Sequence, residues 1–355
     1  MNKTVRVLLK ILKWMLIGIA ITIIILLTVC FVGKMVSSRV PEGGINEEMY
    51  VDINGTKQWV SIYGENVDNP VLLYLHGGPG SSTSAYDYAF TRKWADVYTV
   101  VTWDQRNCGK SYSEEQNNTA LTYDLMMSDG VEMTKLITEY LGKEKISILG
   151  HSWGTYLGSN LVLEHPEYYD CYIGTGQLVD FYQNEVAFKE EATKWAFDEE
   201  GKLLVDQLTV GDFTTDYFMA RNSLMEKYGY DMMADGTDYN VIAAIIFNPY
   251  YSIKDYLNLL NSDYGVYEAF LNSDEFGKFS LIGKIDYQVP FYNINGDKDY
   301  QTNYLIAQEY FDTITAPCKE IYIMEDTTHG LLESKSDAFS AIVHQIAENE
   351  GRPQK

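Results

Sequence analysis

Residues 145–158 read "KISILGHSWGTYLG". A run of strand formers gives way to a serine framed by Gly150 and Gly154, and then to helix formers. "KISIL" (145–149) predicts a buried strand, and "SWGTYLGSNLVLEH" predicts a helix stopped by Pro166. A serine at such a crossing is either packing filler or a nucleophile. The pattern G-x-S-x-G fits a strand that turns sharply into a helix and leaves the serine strained and exposed. Side chains at positions 150 and 154 would collide with neighbouring backbone, which accounts for the glycines. Five-residue patterns recur by chance, so the weight here rests on the context, strand before and helix after.

Working outward, the same rhythm repeats. "EMYVDINGTKQWVSIYG" (48–64) alternates around "NGT", a hairpin signal. "PVLLYL" (70–75), "VYTVVTWD" (97–104) and "DCYIGTGQ" (170–177) are further strands. "LTYDLMMSDGVEMTKLITEYLG" (121–142) has helical spacing, an acidic first turn and a glycine after its end. Continuous apolar strands alternating with helices predict an α/β domain with a parallel sheet covered on both faces. From 178 to about 278 the chain turns helical in spacing and rich in aromatic and charged residues. Strands return at "VPFYNINGDKD" (289–299) and "KEIYIMEDTTHG" (319–330), and a last helix follows at 336–350. The expected layout is a body of residues 48–177 and 279–350, with a helical insertion over 178–278 after the sixth strand.

The amino-terminal region has a different character. Lys3, Arg6, Lys10 and Lys13 precede an uncharged run from Trp14 to Gly33. Twenty residues at ~1.5 Å each span about 30 Å as a helix, the thickness of a bilayer's hydrocarbon. "TVCFVGKM" offers no small-residue cleavage site, and the valine before Cys30 is large for lipoprotein processing. The expectation is an uncleaved transmembrane helix over 14–33, with residues 34–47 as a linker. Four bases before the span against Lys34 and Arg39 after it place residues 1–13 in the cytoplasm and the rest outside.

From residue 35 on the chain holds all 50 acids but only 22 of the 27 bases, since Lys3, Arg6, Lys10, Lys13 and Lys34 come earlier. The remainder is thus near −28, a charge that repels nucleic acid and anionic lipid. Four cysteines with no metal-type spacing predict neither a structural disulfide nor a metal site, and no cofactor is called for. The 29 tyrosines read as core edge and pocket lining.

A serine nucleophile needs a base. In this strand–turn–helix context the chain order is Ser, acid, His. Of five histidines, His329 and His344 follow a late acid. His344 lies within the last helix, whereas His329 follows an apolar strand in "EDTTHGLL", at the sheet edge where such sites gather. His329 is therefore the expected base for Ser152. Asp297 and Asp299 both follow the preceding strand; the turn at Gly296 favours Asp299, with Asp297 as turn cap. The N–H groups of Trp153 and of Gly78, in "HGGPG", are the expected oxyanion donors.

"HGGPG", "WDQRNCGKS", "GHSWGT", "NGDKD" and "THG", in this order, resemble the prolyl aminopeptidase (proline iminopeptidase) branch of the α/β-hydrolases over about residues 48–350. The resemblance implies a mostly parallel eight-stranded sheet with a helical cap after strand six. It also implies the triad Ser152, Asp299 and His329, and the release of an amino-terminal residue, often proline, from a small peptide. In that family cap glutamates bind the substrate's free amino group, which points to Glu185, with Glu190 or Glu191 next. Asn107 stands where the family usually has glycine; asparagine tolerates positive φ. Two alternatives remain open: an esterase or lipase-like hydrolase with the same triad, and a catalytically silent binding protein on the same scaffold. Dehalogenase and epoxide hydrolase chemistry is disfavoured, because both place an aspartate where this chain has Ser152.

Overall fold

A computed structural model describes residues 3–116, 119–260 and 262–350. Eight strands form one sheet in the order β1-β2-β4-β3-β5-β6-β7-β8. They are β1 (Ile45–Ile53), β2 (Thr56–Gly64), β3 (Val71–Leu75), β4 (Thr99–Asp104), β5 (Ile146–His151), β6 (Tyr169–Thr175), β7 (Phe291–Gly296) and β8 (Lys319–Met324). β1 and β2 form the expected antiparallel hairpin, and β2 also pairs antiparallel with β4. From β4 to β8 every pairing is parallel.

The parallel strands read as unbroken apolar runs because both faces are covered. Every residue of β3 and of β5 is buried. Alternate side chains feed two different cores, as the two-residue period of a strand requires. Leu73 and Leu75 join Ile148, Leu157 and Leu161 on one face. Leu72 and Tyr74 join Leu149, Ile173, Val343 and Ile346 on the other. The last helix, Ser336–Asn349, thus seals the second face. The helix Tyr123–Leu141 covers the first; Thr122 caps its start by accepting from the Leu125 N–H, and Gly142 ends it at φ 62°.

Between β6 and β7 all described regular structure is helical, from Phe181–Trp195 to Asp274–Gly277. These helices have a small core of their own, in which Phe188, Leu208, Tyr217 and Leu224 are buried together. At the amino terminus a single helix runs Lys3–Ser37. It continues four residues past the uncharged run, so the connection to β1 is only residues 38–44. Val5–Ser37 is long and apolar enough for a membrane span, and its position also fits a signal sequence.

Candidate active site

The site grows from the end of β5. Ser152 has φ 55° and ψ −120°, a left-handed backbone that a non-glycine residue adopts only under constraint. The constraint is close packing. A Cβ on Gly150 would lie 2.4 Å from the Gly154 carbonyl oxygen, and one on Gly154 would lie 2.1 Å from that of Leu75. Only glycine fits at either position, so the helix Trp153–Glu164 can start hard against β3. The turn lifts the Ser152 side chain to the sheet edge, where it keeps 9% of its surface exposed.

Two loops meet it there. The loop after β8 carries His329, whose Nδ1 lies 2.7 Å from Asp299 Oδ2 in the loop after β7. Asp299 is fully buried and accepts from the Thr302 N–H at 2.9 Å and the Thr302 hydroxyl at 3.0 Å. These bonds fix the carboxylate, and the carboxylate fixes the ring. Asp297, the alternative acid, instead accepts from the Thr327 N–H at 3.2 Å and ties the two loops together. Ser152 and His329 line one cavity of about 250 Å³ with Gly77, Gly78, Tyr86 and Met232. Among the described residues the Ser152 hydroxyl has no hydrogen-bond partner; such contacts commonly tighten only with substrate present.

Gly78, which lines the same cavity, has φ 123°, and a Cβ there would meet the Gly80 nitrogen at 2.5 Å. His76 holds the base of this loop. Its Nδ1–H donates to the Gly77 carbonyl at 2.8 Å and its Nε2 accepts from the Gln105 N–H at 3.2 Å. Burial lowers its pKa to about 4, so the ring is neutral and can play both parts. Gln105 also accepts from the Trp153 indole at 2.8 Å. The "WDQRNCGKS" segment therefore braces both the glycine loop and the start of the helix. Asn107 does adopt positive φ, 58°.

Several supports have no signature in the sequence. His151 Nε2 lies 3.1 Å from the His329 carbonyl oxygen, with the two rings 4.7 Å apart. Burial, reinforced by the neighbouring His329, lowers the His151 pKa to about 3. The neutral ring thus donates to the His329 backbone and pins its loop. Arg106 makes a two-pronged ion pair with Asp129, 2.7 Å on each side, both buried. A glycine-rich or apolar context betrays neither, since each partner is distant in the chain.

The cap glutamates separate. Glu185 borders a second cavity that also reaches Ser152 and Gly78, with Phe181, Phe218 and Phe276 around it. Its carboxylate is buried and heavily engaged. Oε2 accepts from Arg221 Nε at 2.7 Å and the Tyr217 hydroxyl at 2.8 Å; Oε1 accepts from Arg221 at 3.1 Å and Asn184 at 3.0 Å. Arg221 continues to the Gln301 carbonyl at 2.9 Å, beside the loop that carries Asp299. Glu190 is exposed, and Glu191 pairs with Lys194 at 2.6 Å; neither lines either cavity.

Residues 70–336 match the profile of the alpha/beta hydrolase fold family. The chain belongs to that family. This hydrolase is 25% identical over 299 residues to a probable aminopeptidase, YbaC, of Bacillus subtilis (strain 168), spanning 79% of this chain and 89% of that one. It is 28% identical over 186 residues to a proline iminopeptidase of Clostridioides difficile (strain 630), which covers 51% of this hydrolase and 60% of the relative. The crystal structure of a proline iminopeptidase from Mycobacterium smegmatis superposes with a TM-score of 0.60, at 19% identity, over 86% of this chain and 98% of that one. The Mycobacterium smegmatis structure shares this fold, and the two curated relatives are named as an aminopeptidase and a proline iminopeptidase.

Proposed function

We propose that this hydrolase is a serine aminopeptidase that releases an amino-terminal residue, proline among the candidates, from small peptides. The observation that carries the reading is the 2.7 Å contact between His329 and a buried Asp299, in a cavity shared with the strained Ser152. Ser152 attacks the first peptide carbonyl. His329 takes the hydroxyl proton through Nε2 and returns it to the leaving amine, while Asp299 holds the tautomer and balances the imidazolium. The N–H groups of Gly78 and Trp153 receive the developing oxyanion. Water then attacks the acyl-enzyme by the same proton route in reverse, and no metal or cofactor enters the scheme.

In this reading residues 178–278 act as a cap over a body of 48–177 and 279–350. Glu185 receives the substrate ammonium, which must displace the Tyr217 or Asn184 donor to reach it. The helix around residues 14–33 anchors the enzyme in the membrane, with residues 1–13 cytoplasmic and the catalytic body outside.

A specific observation favours a second reading, a carboxylesterase with the same triad. Arg221 already neutralises Glu185, and three phenylalanines line the same cavity. An aromatic pocket without a free charge suits an acyl group better than an ammonium.

Turnover of aminoacyl-naphthylamides, free and N-acetylated, beside a p-nitrophenyl ester separates the two. We expect acetylation to abolish activity; equal rates on both would remove the aminopeptidase reading and leave the esterase. Fluorophosphonate labelling that is lost in Ser152→Ala establishes the nucleophile, and no labelling of the native protein would leave a silent binding protein.

A further inference from the structure

The end of the amino-terminal helix does not stand free of the rest of the molecule. A Cβ on Gly33 would lie 2.2 Å from the Phe247 ring, so the helix backbone rests directly on the helix Val241–Phe247. The Lys34 ammonium donates to the Tyr251 carbonyl, and Arg92 donates to the Ser37 carbonyl. These contacts fall at the residues where the uncharged run Trp14–Gly33 ends. If that run fills the hydrocarbon, the touching part of the insertion lies at the height of the lipid headgroups.

That part of the insertion is unusually apolar on its outside. Ile242 and Ile246, four residues apart, are 70% and 41% exposed. The next helix, Ile253–Leu260, buries no residue, and presents Ile253, Leu257 and Leu260 at 74%, 54% and 82% exposure. Their spacing, four and then three residues, puts all three on one helical face. Five large aliphatic side chains turned to solvent beside a bilayer exit are an unsatisfied surface in water and a satisfied one in an acyl boundary.

We infer that the exposed face of residues 241–260 is a membrane-contact surface, which seats the insertion on the bilayer next to the helix that enters it. The inference rests on the membrane reading of that helix. The partner is the uncharged acyl and glycerol layer of the leaflet, because a body near −28 is repelled by anionic headgroups. Contact by burial of aliphatic side chains is insensitive to salt, unlike a basic patch.

The test uses the full chain in phosphatidylcholine vesicles that carry a doxyl group on an acyl chain. Cys30→Ala and Cys318→Ser remove the two cysteines that are not buried. An environment-sensitive fluorophore is then attached at Leu257→Cys, at Ile24→Cys within the helix, or at Lys202→Cys on an exposed charged helix. Unchanged hydrolase activity of each labelled protein checks the fold. We expect blue-shifted, lipid-quenched emission at 257 and at 24, and neither at 202. Quenching at 24 without quenching at 257 overturns the surface and leaves the anchor. Loss of quenching at both overturns both. A blue shift at 257 without lipid quenching assigns the face to a second copy of the chain and overturns the proposal, as does equal quenching at 202.

Discussion

A single carbonyl oxygen sets the terms at Ser152. The Leu75 oxygen lies where a Cβ of residue 154 would stand, at 2.1 Å. Gly154→Ala must push the helix start off β3, and overpacking of this kind costs about 1–3 kcal/mol. We expect the variant to lose more activity than stability, because the displaced element carries the proposed nucleophile; urea denaturation beside steady-state rates measures the two. The two aspartates of the "NGDKD" turn offer a sharper contrast. Asp299→Asn should lower kcat by about 10⁴-fold, the order that follows when a triad aspartate becomes an amide and the histidine adopts the wrong tautomer. Asp297→Asn keeps an oxygen able to accept from the Thr327 N–H, and we expect rates within a few-fold of native. Nearly equal losses in the two variants would refute the assignment of Asp299. At this scale the sequence is eloquent about backbone and poor about partners. Gly150, Gly154 and the positive φ of Asn107 are legible, because sterics act over one or two residues. His151 as the prop of the His329 loop is not, because a histidine in the middle of an elbow motif says nothing about the carbonyl 178 residues away that it meets.

Among elements, the junction between the inserted helices and the loop after β7 depends on one buried arginine. Arg221 joins Glu185 on a neighbouring helix to the carbonyl of Gln301, two residues from Asp299. Arg221→Met removes one member of a buried pair and strands the other, at a cost of about 3–5 kcal/mol. Arg221→Met with Glu185→Leu should recover most of that loss, since the pair as a whole offsets its own desolvation. Chemical denaturation of the single and double variants gives the coupling directly. All eight strands fall within a few residues of the runs that mark them, whereas the helix Thr215–Tyr228 that carries Arg221 has no clear apolar face to mark it. The pairing of Glu185 with Arg221 is not readable, because 36 residues and a change of helix separate them. A lone acid in a strongly acidic chain looks solvated or substrate-binding until its partner is seen.

The whole molecule carries a pH signature. Burial pushes the carboxyl of Glu333 up to about 7, that of Asp87 to about 8 and that of Asp104 to about 6. Each is raised above its unfolded value, so the folded chain holds protons that the unfolded chain releases. Their contribution to stability is complete below about pH 4 and is lost progressively as pH rises through those folded values. His151 and His76 act oppositely, since burial lowers both. Their contribution is present above about pH 6.5 and falls away on acidification. The two sets together predict greatest stability in mildly acidic solution. Among the described residues neither carboxylate oxygen of Glu333 has a partner in full hydrogen-bond geometry, and the Tyr86 side chain lies beside it. Glu333→Gln should therefore raise Tm at about pH 8 and change it little at about pH 5. Calorimetry of both proteins at the two values tests the sign.

The φ of 55° at Ser152 has one more consequence. A conformation worth about 1–3 kcal/mol of strain does not persist in a loose chain. It exists only once β3 and β5 lie side by side, with Gly154 against the Leu75 carbonyl and Gly150 against that of Gly154. On the proposed mechanism, the reactivity of Ser152 is thus a property of the finished sheet and of no shorter fragment. A nascent or half-denatured copy would carry an ordinary, sluggish alcohol, harmless to whatever surrounds it. Inactivation on heating and melting of the central strands should then trace one curve.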